Sequence, residues 1–272
     1  MNNYTINLTD KPDNNGFQPF MTAYILDRND EGPRPAVVIC PGGGYECVCE
    51  NWEGERIAMA YAAAGFNTVV VNYTTVGGGV FPCQLKQIAN AIKITRIHAE
   101  EWQIDPNKIA VCGFSAGGHL AASISVFWNC EKIFTEEEIK SEIYKPNASI
   151  LSYPVITSGE KAHKGSFIAL TGSEEKGELW DFVSLEKRVN KGTPPAFLWH
   201  CVDDAEVPVE NSIYYANALR ENGIDFEMHI FPYGGHGKQL TTERILRSRS
   251  IFKREYNWHK LSVDWLAGVF NL

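Results

Sequence analysis

The chain has 272 residues, 44% of them hydrophobic and 21% charged, which is a globular composition sufficient for one large α/β domain or two small ones. A net charge of −8, with no lysine and arginine run and no basic-aromatic stripe, argues against nucleic acid as a partner. No segment approaches the roughly 20 apolar residues of a membrane span, and no basic region followed by an apolar stretch opens the chain, so we expect a cytoplasmic protein without a membrane partner.

Short apolar runs alternate with helical patterns along the chain. Two polar-flanked runs come first and suggest strands, which would suit an antiparallel edge. After them, strands are predicted at residues 36–40, 68–71, 108–112, 148–153, 195–201 and 226–231, and helices at 55–64, 85–102, from 118 onward, 209–222 and 246–266. Strands separated by helices predict a mostly parallel central sheet of about eight strands with helices on both faces.

Residues 155–193 interrupt this alternation with a polar, weakly periodic stretch rich in glycine, serine and glutamate. Such length is unusual for a connection inside a compact domain, and long loops often serve as lids or binding loops. We therefore predict a single domain over residues 1–272, with a lid or binding insertion at 155–193.

Seven scattered cysteines give no zinc pattern. Cys40, Cys112 and Cys201 lie in apolar, strand-like runs and are expected to be buried thiols. Cys47 and Cys49 form an isolated C-x-C, but no second cysteine or histidine pair stands at zinc spacing. We predict no metal and no other cofactor, and reduced thiols.

The most informative motif is Gly-Phe-Ser-Ala-Gly at residues 113–117, between a predicted strand and a predicted helix. A sharp strand-to-helix turn requires glycine at the flanking positions, because a Cβ atom there would collide with the neighbouring backbone. The turn raises Ser115 above the sheet at a helix N-terminus, which favours developing negative charge. Ser115 is therefore the candidate nucleophile.

A serine nucleophile needs a base oriented by a carboxylate, and in α/β-hydrolases the chain order is serine, acid, histidine. Two loops at the carboxyl edge of the sheet supply that order: Asp204 follows the strand at 195–201, and His236 follows the strand at 226–231 between glycines. The adjacent Asp203 is the alternative acid, although the spacing to Val207-Pro208 favours Asp204.

Six other histidines compete for the role of base. Four lie within helical or strand patterns or in the long polar segment, namely His98, His163, His229 and His259. His119 follows the serine on its helix and more often supports structure, whereas His200 could line the pocket near the acid. Loop context and chain order favour His236.

An oxyanion hole is predicted from Pro41-Gly-Gly-Gly-Tyr45, which follows the strand at 36–40. Glycine backbone can approach a substrate closely and offer free N–H groups, and the N–H of Ala116 should join them. A phosphate-binding loop is the competing interpretation, but neither the lysine-containing motif nor a G-x-G-x-x-G spacing is present.

Together these segments, with Thr193-Pro-Pro-Ala-Phe-Leu-Trp-His200, resemble the esterase branch of the α/β-hydrolase superfamily, in particular bacterial acetylxylan-esterase-like and related carbohydrate esterases. The resemblance implies an α/β-hydrolase fold, oxyanion donors at Gly43, Gly44 and Ala116, with the N–H of Tyr45 as an alternative donor from the same loop, and a serine esterase acting on short-chain esters. Acetyl esters of sugars or oligosaccharides are the small-molecule substrates it suggests.

The sequence departs from that branch at Pro41, where such esterases often have histidine, so hydrogen bonds that brace the loop must come from elsewhere. Aromatic side chains at Tyr45, Trp180 and Tyr233 either stack on a sugar or pack internally; Tyr45 is our predicted substrate-binding residue. The same constellation also serves peptidases, amidases and lactonases, and some proteins with this fold only bind ligands. The sequence is compatible with a homo-oligomer.

Overall fold

The computed structural model of the chain describes residues 1–237, 240 and 257–272. Eight strands form one sheet in the order β1-β2-β4-β3-β5-β6-β7-β8. The strands are β1 Asn2–Asn7, β2 Phe20–Ile25, β3 Arg34–Cys40, β4 Asn67–Asn72, β5 Ile104–Phe114, β6 Ala148–Ser152, β7 Ala196–Cys201 and β8 Phe226–Phe231. β1 pairs with β2 and β2 with β4 in antiparallel fashion, and the remaining pairs are parallel. The predicted α/β-hydrolase architecture is confirmed.

The described helices cover both faces of the sheet. They are α1 Glu55–Ala63, α2 Cys83–Ile97, α3 Ala116–Phe127, α4 Glu136–Lys140, α5 Lys164–Thr171, α6 Glu178–Phe182, α7 Glu210–Glu221 and α8 Trp258–Phe270. Side chains of α1 and α8 share one apolar cluster, and those of α2, α3 and α7 share the other. The strands between these clusters are buried on both faces, which explains their continuous apolar runs.

Among the helices, the ends of α2 and of the last helix differ most from the prediction. α2 ends at Ile97, and the chain then turns, with Trp102 N–H donating to His98 O at 2.9 Å. Trp102 nevertheless stays buried and stacks on His98, so its apolar character extends the helical pattern beyond the helix. Residues 246–256 of the predicted final helix lie outside the described residues, and the described part is α8, which ends at Phe270 rather than at 266.

Residues 155–193 are folded onto the body of the protein. They carry α5, α6 and a 3₁₀ turn at Leu185–Lys187. Asn211 on α7 anchors their start: its Oδ1 accepts the N–H groups of Ile156 and Thr157 at 2.9 and 3.0 Å, and its Nδ2 donates to Lys161 O at 3.0 Å. Asn211 is fully buried, so one side chain satisfies several backbone groups that would otherwise lack partners.

No helix within the described ranges combines the length and the apolar character that a bilayer crossing needs.

Candidate active site

Ser115 stands at the turn from β5 to α3, in the middle of the sheet. Its backbone has φ 54° and ψ −120°, a strained conformation for a non-glycine residue. A Cβ atom on Gly113 would collide with the carbonyl of Gly117, and one on Gly117 would collide with the carbonyl of Cys40. The two motif glycines are therefore required by backbone packing, as the sequence predicts.

The turn lies where the sheet order reverses. From β3 the chain moves to β4 on one side and then returns to β5 on the other, so the loops after β3 and β5 diverge at the carboxyl edge. Ligand sites of parallel sheets lie at such points. Ser115 follows β5 and the glycine loop follows β3, and this places both at the same crevice.

His236 joins the serine to an acid. Its Nε2 lies 2.9 Å from Ser115 Oγ, and its Nδ1 lies 2.7 Å from Asp204 Oδ2. In this arrangement the Nδ1–H of a neutral imidazole donates to the carboxylate, and Nε2 accepts the serine hydroxyl. The structure thus brings together the three residues that the sequence selects as nucleophile, base and acid.

Asp204 is held ionised by its surroundings. Burial by itself would raise the pKa of this carboxyl, but hydrogen bonds from His200 and His236 and from the N–H of Val207 outweigh it and hold the pKa well below its usual range. Oδ1 accepts the N–H groups of Glu206 and Val207 at 3.0 and 2.9 Å. The side chain is fully shielded from solvent, so these bonds are its compensation for lost hydration.

Asp203 has a different position from its neighbour. Its Oδ1 accepts the N–H of Gly235 at 2.7 Å, and the side chain does not touch the imidazole of His236 in the way that Asp204 does. Asp203 therefore ties the loop of β7 to the loop that carries His236. Of the two acids, Asp204 has the geometry that the triad requires.

His200 contacts the carboxylate of Asp204 from the interior of the protein. Its imidazole is completely buried, with Nε2 2.9 Å from Val207 O and 3.3 Å from Asp204 Oδ2, and Nδ1 2.8 Å from Ser212 Oγ. A completely buried ring cannot line a solvent-facing pocket. The sequence places His200 near the acid, and the structure shows that it contacts the acid itself.

The glycine loop at residues 41–45 begins close to Ser115, since a Cβ atom on Gly42 would stand 2.9 Å from Ser115 Cβ. Gly43 and Gly44 have φ of 126° and 68°, values that favour glycine. Among the described residues, no acceptor is bonded to the N–H groups of Gly43, Gly44 or Ala116. Unpaired donors at the nucleophile are what an oxyanion hole requires.

Other residues brace this loop in place of the histidine that Pro41 replaces. Tyr73 donates its O–H to Pro41 O at 2.6 Å, and Gly42 N–H donates to Glu53 Oε2 at 2.7 Å. Cys49 N–H donates to Gly42 O at 2.9 Å. Glu53 follows no helical or strand pattern in the sequence, since it lies in a π-helical turn at Glu50–Gly54; sequence reasoning misses it for that reason.

Tyr45 requires a correction. Its side chain is 1% exposed, and its O–H donates to His119 Nδ1 at 2.9 Å, while His119 Nε2–H donates to Val183 O at 2.9 Å. A ring at this depth packs internally and cannot stack on a sugar, because the tight turn directs it inward. Trp180 is also buried, at 3% exposure, whereas Tyr233 is 60% exposed.

The comparisons with known proteins agree with this geometry. The profile of the BD-FAE family matches residues 24–219. Endo-1,4-beta-xylanase B of Butyrivibrio fibrisolvens is 40% identical over 85% of this chain and 36% of its own length. Acetylxylan esterase of Xylanibacter ruminicola is 35% identical over 78% of this chain and 42% of its own length. The chain thus spans about two fifths of the length of these curated relatives.

A solved structure matches over nearly its whole length. The acetyl ester-xyloside bifunctional hydrolase of Caldicellulosiruptor lactoaceticus superposes with a TM-score of 0.83 at 34% identity, covering 98% of this chain and 96% of that one. The fold, the strand-to-helix turn at residues 113–117 (the elbow) and the sequence similarity therefore lead to one assignment: the chain belongs to the BD-FAE family, among the carbohydrate-esterase-like α/β-hydrolase esterases.

Proposed function

We propose that this protein is a serine esterase that removes short acyl groups, acetyl above all, from sugars or oligosaccharides. The observation that carries the proposal is the chain of contacts from Ser115 Oγ through His236 to Asp204, at 2.9 and 2.7 Å. Catalytic roles for these three residues follow from that geometry and from the chemistry of serine hydrolases.

In the first half-reaction, Ser115 Oγ attacks the ester carbonyl while His236 Nε2 takes its proton. Asp204 stabilises the imidazolium and holds its Nδ1–H in place. The carbonyl oxygen becomes an oxyanion and is received by the N–H groups of Gly43, Gly44 and Ala116. Collapse of this tetrahedral intermediate expels the sugar alkoxide, which takes the proton from His236. An acyl-enzyme remains.

In the second half-reaction, His236 removes a proton from water, which attacks the acyl-enzyme. The same N–H groups receive the second oxyanion, and Ser115 leaves with the proton that His236 returns. Apart from the attacking water, this mechanism uses only side chains and backbone groups of the protein.

The substrate class is supported by the relatives. The Xylanibacter protein is an acetylxylan esterase, and the Caldicellulosiruptor protein is an acetyl ester-xyloside hydrolase. We extend from them a preference for acetyl groups on xylose-type sugars. Residues 155–193 would border the alcohol side of the substrate as a binding insertion of the same domain, and the cytoplasmic location stays a prediction.

The test is hydrolysis of p-nitrophenyl esters from acetate to octanoate by the wild type and by Ser115→Ala. We expect activity that falls with acyl length and a loss of about 10³-fold or more in the variant. A fluorophosphonate should label the wild type at Ser115, located by peptide mass spectrometry, and should leave the variant unlabelled. Acetylated xylo-oligosaccharides then test the sugar preference.

Equal activity in the variant would overturn the proposal. Hydrolysis confined to amides or lactones would keep the triad but replace the ester substrate. Absence of both turnover and labelling in the wild type would leave a ligand-binding protein of this fold.

A further inference from the structure

We propose that Glu53 and Tyr153 form a buried carboxylate–phenol pair that positions the glycine loop at residues 41–45 relative to the imidazole of His236. Because this loop carries the predicted oxyanion donors, we call it the oxyanion loop. Tyr153 O–H donates to Glu53 Oε1 at 2.7 Å, while Glu53 Oε2 accepts the N–H of Gly42 at 2.7 Å. This inference rests on the proposed function, since it assigns positioning roles to two residues behind the same site.

The pair lies in the interior of the protein. Glu53 is 4% exposed and Tyr153 is 1% exposed. Burial, and next the negative charge of Glu53, raise the pKa of the Tyr153 phenol well above its ordinary value, so the phenol keeps its proton and acts as a donor. A buried carboxylate is costly unless it is hydrogen-bonded, and Glu53 accepts bonds from Tyr153 and from Gly42.

One end of the pair fixes the first peptide of the oxyanion loop. Gly42 N–H is held by Glu53, and Pro41 O is held by Tyr73, so both polar atoms of that planar peptide are bonded. A Cβ atom on Gly42 would stand 2.9 Å from Ser115 Cβ, which shows how close this peptide lies to the nucleophile.

The next two peptides are oriented as a consequence. Gly42 O accepts Cys49 N–H at 2.9 Å, and Gly43 O accepts the N–H groups of Glu46 and Cys47 at 3.0 and 3.1 Å. In a trans peptide the C=O and N–H point in opposite directions. Anchoring both carbonyls on one side therefore leaves the N–H groups of Gly43 and Gly44 directed to the other side.

The other end of the pair contacts the base. The ring of Tyr153 meets the imidazole of His236 at a centroid distance of 4.9 Å and an angle of 67°. Tyr153 also has φ 38°, a strained value for a bulky side chain, and its N–H donates to Trp199 O at 2.8 Å. One residue thus contacts the base with its ring and the loop-bracing carboxylate with its hydroxyl.

The experiment compares Glu53→Ala, Glu53→Gln and Tyr153→Phe with the wild type on p-nitrophenyl acetate. The amide introduced by Glu53→Gln can accept Gly42 N–H through its oxygen and donate to the Tyr153 hydroxyl through its NH₂. We expect kcat to fall by about 10²-fold in Glu53→Ala, because misplaced oxyanion donors cost that much, with little change in KM. Tyr153→Phe should lose on the order of 10-fold, and Glu53→Gln should recover most of the activity.

A trifluoromethyl ketone that forms a tetrahedral adduct with serine supplies a second readout. Its affinity should fall in parallel with kcat, since the adduct carries the oxyanion. Hydrogen–deuterium exchange at residues 41–49 should become faster in Glu53→Ala and Tyr153→Phe, and this readout does not depend on activity.

A second tyrosine–glutamate pair provides the matched control. Tyr144 O–H donates to Glu138 Oε1 at 2.6 Å, in a region built on α4. Tyr144→Phe and Glu138→Ala should leave kcat and adduct affinity within about two-fold of the wild type. Equal losses in the control pair, or unchanged kinetics and exchange in Glu53→Ala and Tyr153→Phe, would overturn the positioning role.

Failure of the proposed function is recognised separately. A wild type that neither hydrolyses esters nor reacts with a fluorophosphonate contradicts the esterase, and the exchange experiment then still decides whether the pair orders the loop. A labelled, active wild type with insensitive Glu53 variants contradicts the pair alone.

Discussion

The two halves of the candidate site are held in different ways. The elbow and the oxyanion loop meet backbone against backbone, so that a Cβ atom on Gly117 would collide with the carbonyls of Cys40 and Pro41. The acid and the histidine instead lie on loops positioned by side-chain hydrogen bonds, such as Asp203 to Gly235 and Asp204 to Val207. The contact between the turn and the loop depends on shape, even though Glu53 and Tyr73 also brace the loop by hydrogen bonds. The acid and the histidine depend on charge and hydrogen bonding, so different substitutions should disrupt each half.

The largest effect on kcat is expected in the half of the site that holds the acid and the histidine. Asp204→Asn keeps the volume of the acid but favours the wrong tautomer of His236, so kcat should fall by about 10³–10⁴-fold. Asp203→Asn should lose about 10-fold or less, because an amide oxygen can still accept Gly235 N–H. Steady-state hydrolysis of p-nitrophenyl acetate measures both, and a greater loss in the Asp203 variant would exchange the roles of the two acids.

A single added methyl group should disrupt the contact between the elbow and the oxyanion loop and so destabilise the fold. Gly117→Ala places a Cβ atom against the carbonyl oxygens of Cys40 and Pro41. We therefore expect the free energy of unfolding to fall by about 3 kcal/mol or more. Gly268 is the control, since it lies in α8 with no heavy atom within 4 Å of an added Cβ. Gly268→Ala should be neutral or stabilising by about 0.5–1 kcal/mol in urea titrations. Similar stability of the two variants would contradict the packing argument.

A smaller effect should appear as a dependence of stability on pH at His119, which links Tyr45 of the oxyanion loop to Val183 within residues 155–193. Burial lowers the pKa of His119 from 6.5 to about 4, although the bond to Val183 O acts against it. The unfolded chain therefore binds more protons between about pH 6.5 and 4, and stability should fall as pH drops through that window. The stability lost across this window is about 3 kcal/mol for a pKa shift of this size.

His119→Gln should flatten that part of the stability curve, whereas the half-exposed His98→Gln should retain the wild-type slope. Urea titrations at several pH values between 4 and 7 measure the slope. An unchanged slope in His119→Gln would show that another group carries the acid sensitivity.

The sequence predicts best where one residue type is required by local geometry. Glycine at 113 and 117 is required by a turn only five residues long, and the serine between them is the residue type that the chemistry needs, so the elbow can be recognised without the fold. The parallel strands are predictable because burial on both faces makes them continuously apolar. Asp204 and His236 can be placed because loops after parallel strands meet at one edge.

Contacts between distant segments are beyond such reasoning. Glu53 reaches Gly42 and Tyr153 from an irregular turn, and nothing in the spacing marks it. Tyr45 is expected at the substrate because it follows the glycines, but its positive φ of 62° belongs to a turn that directs the ring into the core. The predicted end of α2 lies too far along the chain because Trp102 is buried without being helical.

The anchoring of residues 155–193 by Asn211 has a consequence for engineering. One amide on α7 holds Ile156, Thr157 and Lys161 at the entrance of the segment, close in sequence to the loop of Asp204. The start of the segment is therefore fixed by a side chain that lies outside it. A chimera that keeps 155–161, Asn211 and the position of Val183, whose carbonyl accepts His119, and that exchanges the remainder for the corresponding stretch of a relative should keep the contacts among Ser115, His236 and Asp204.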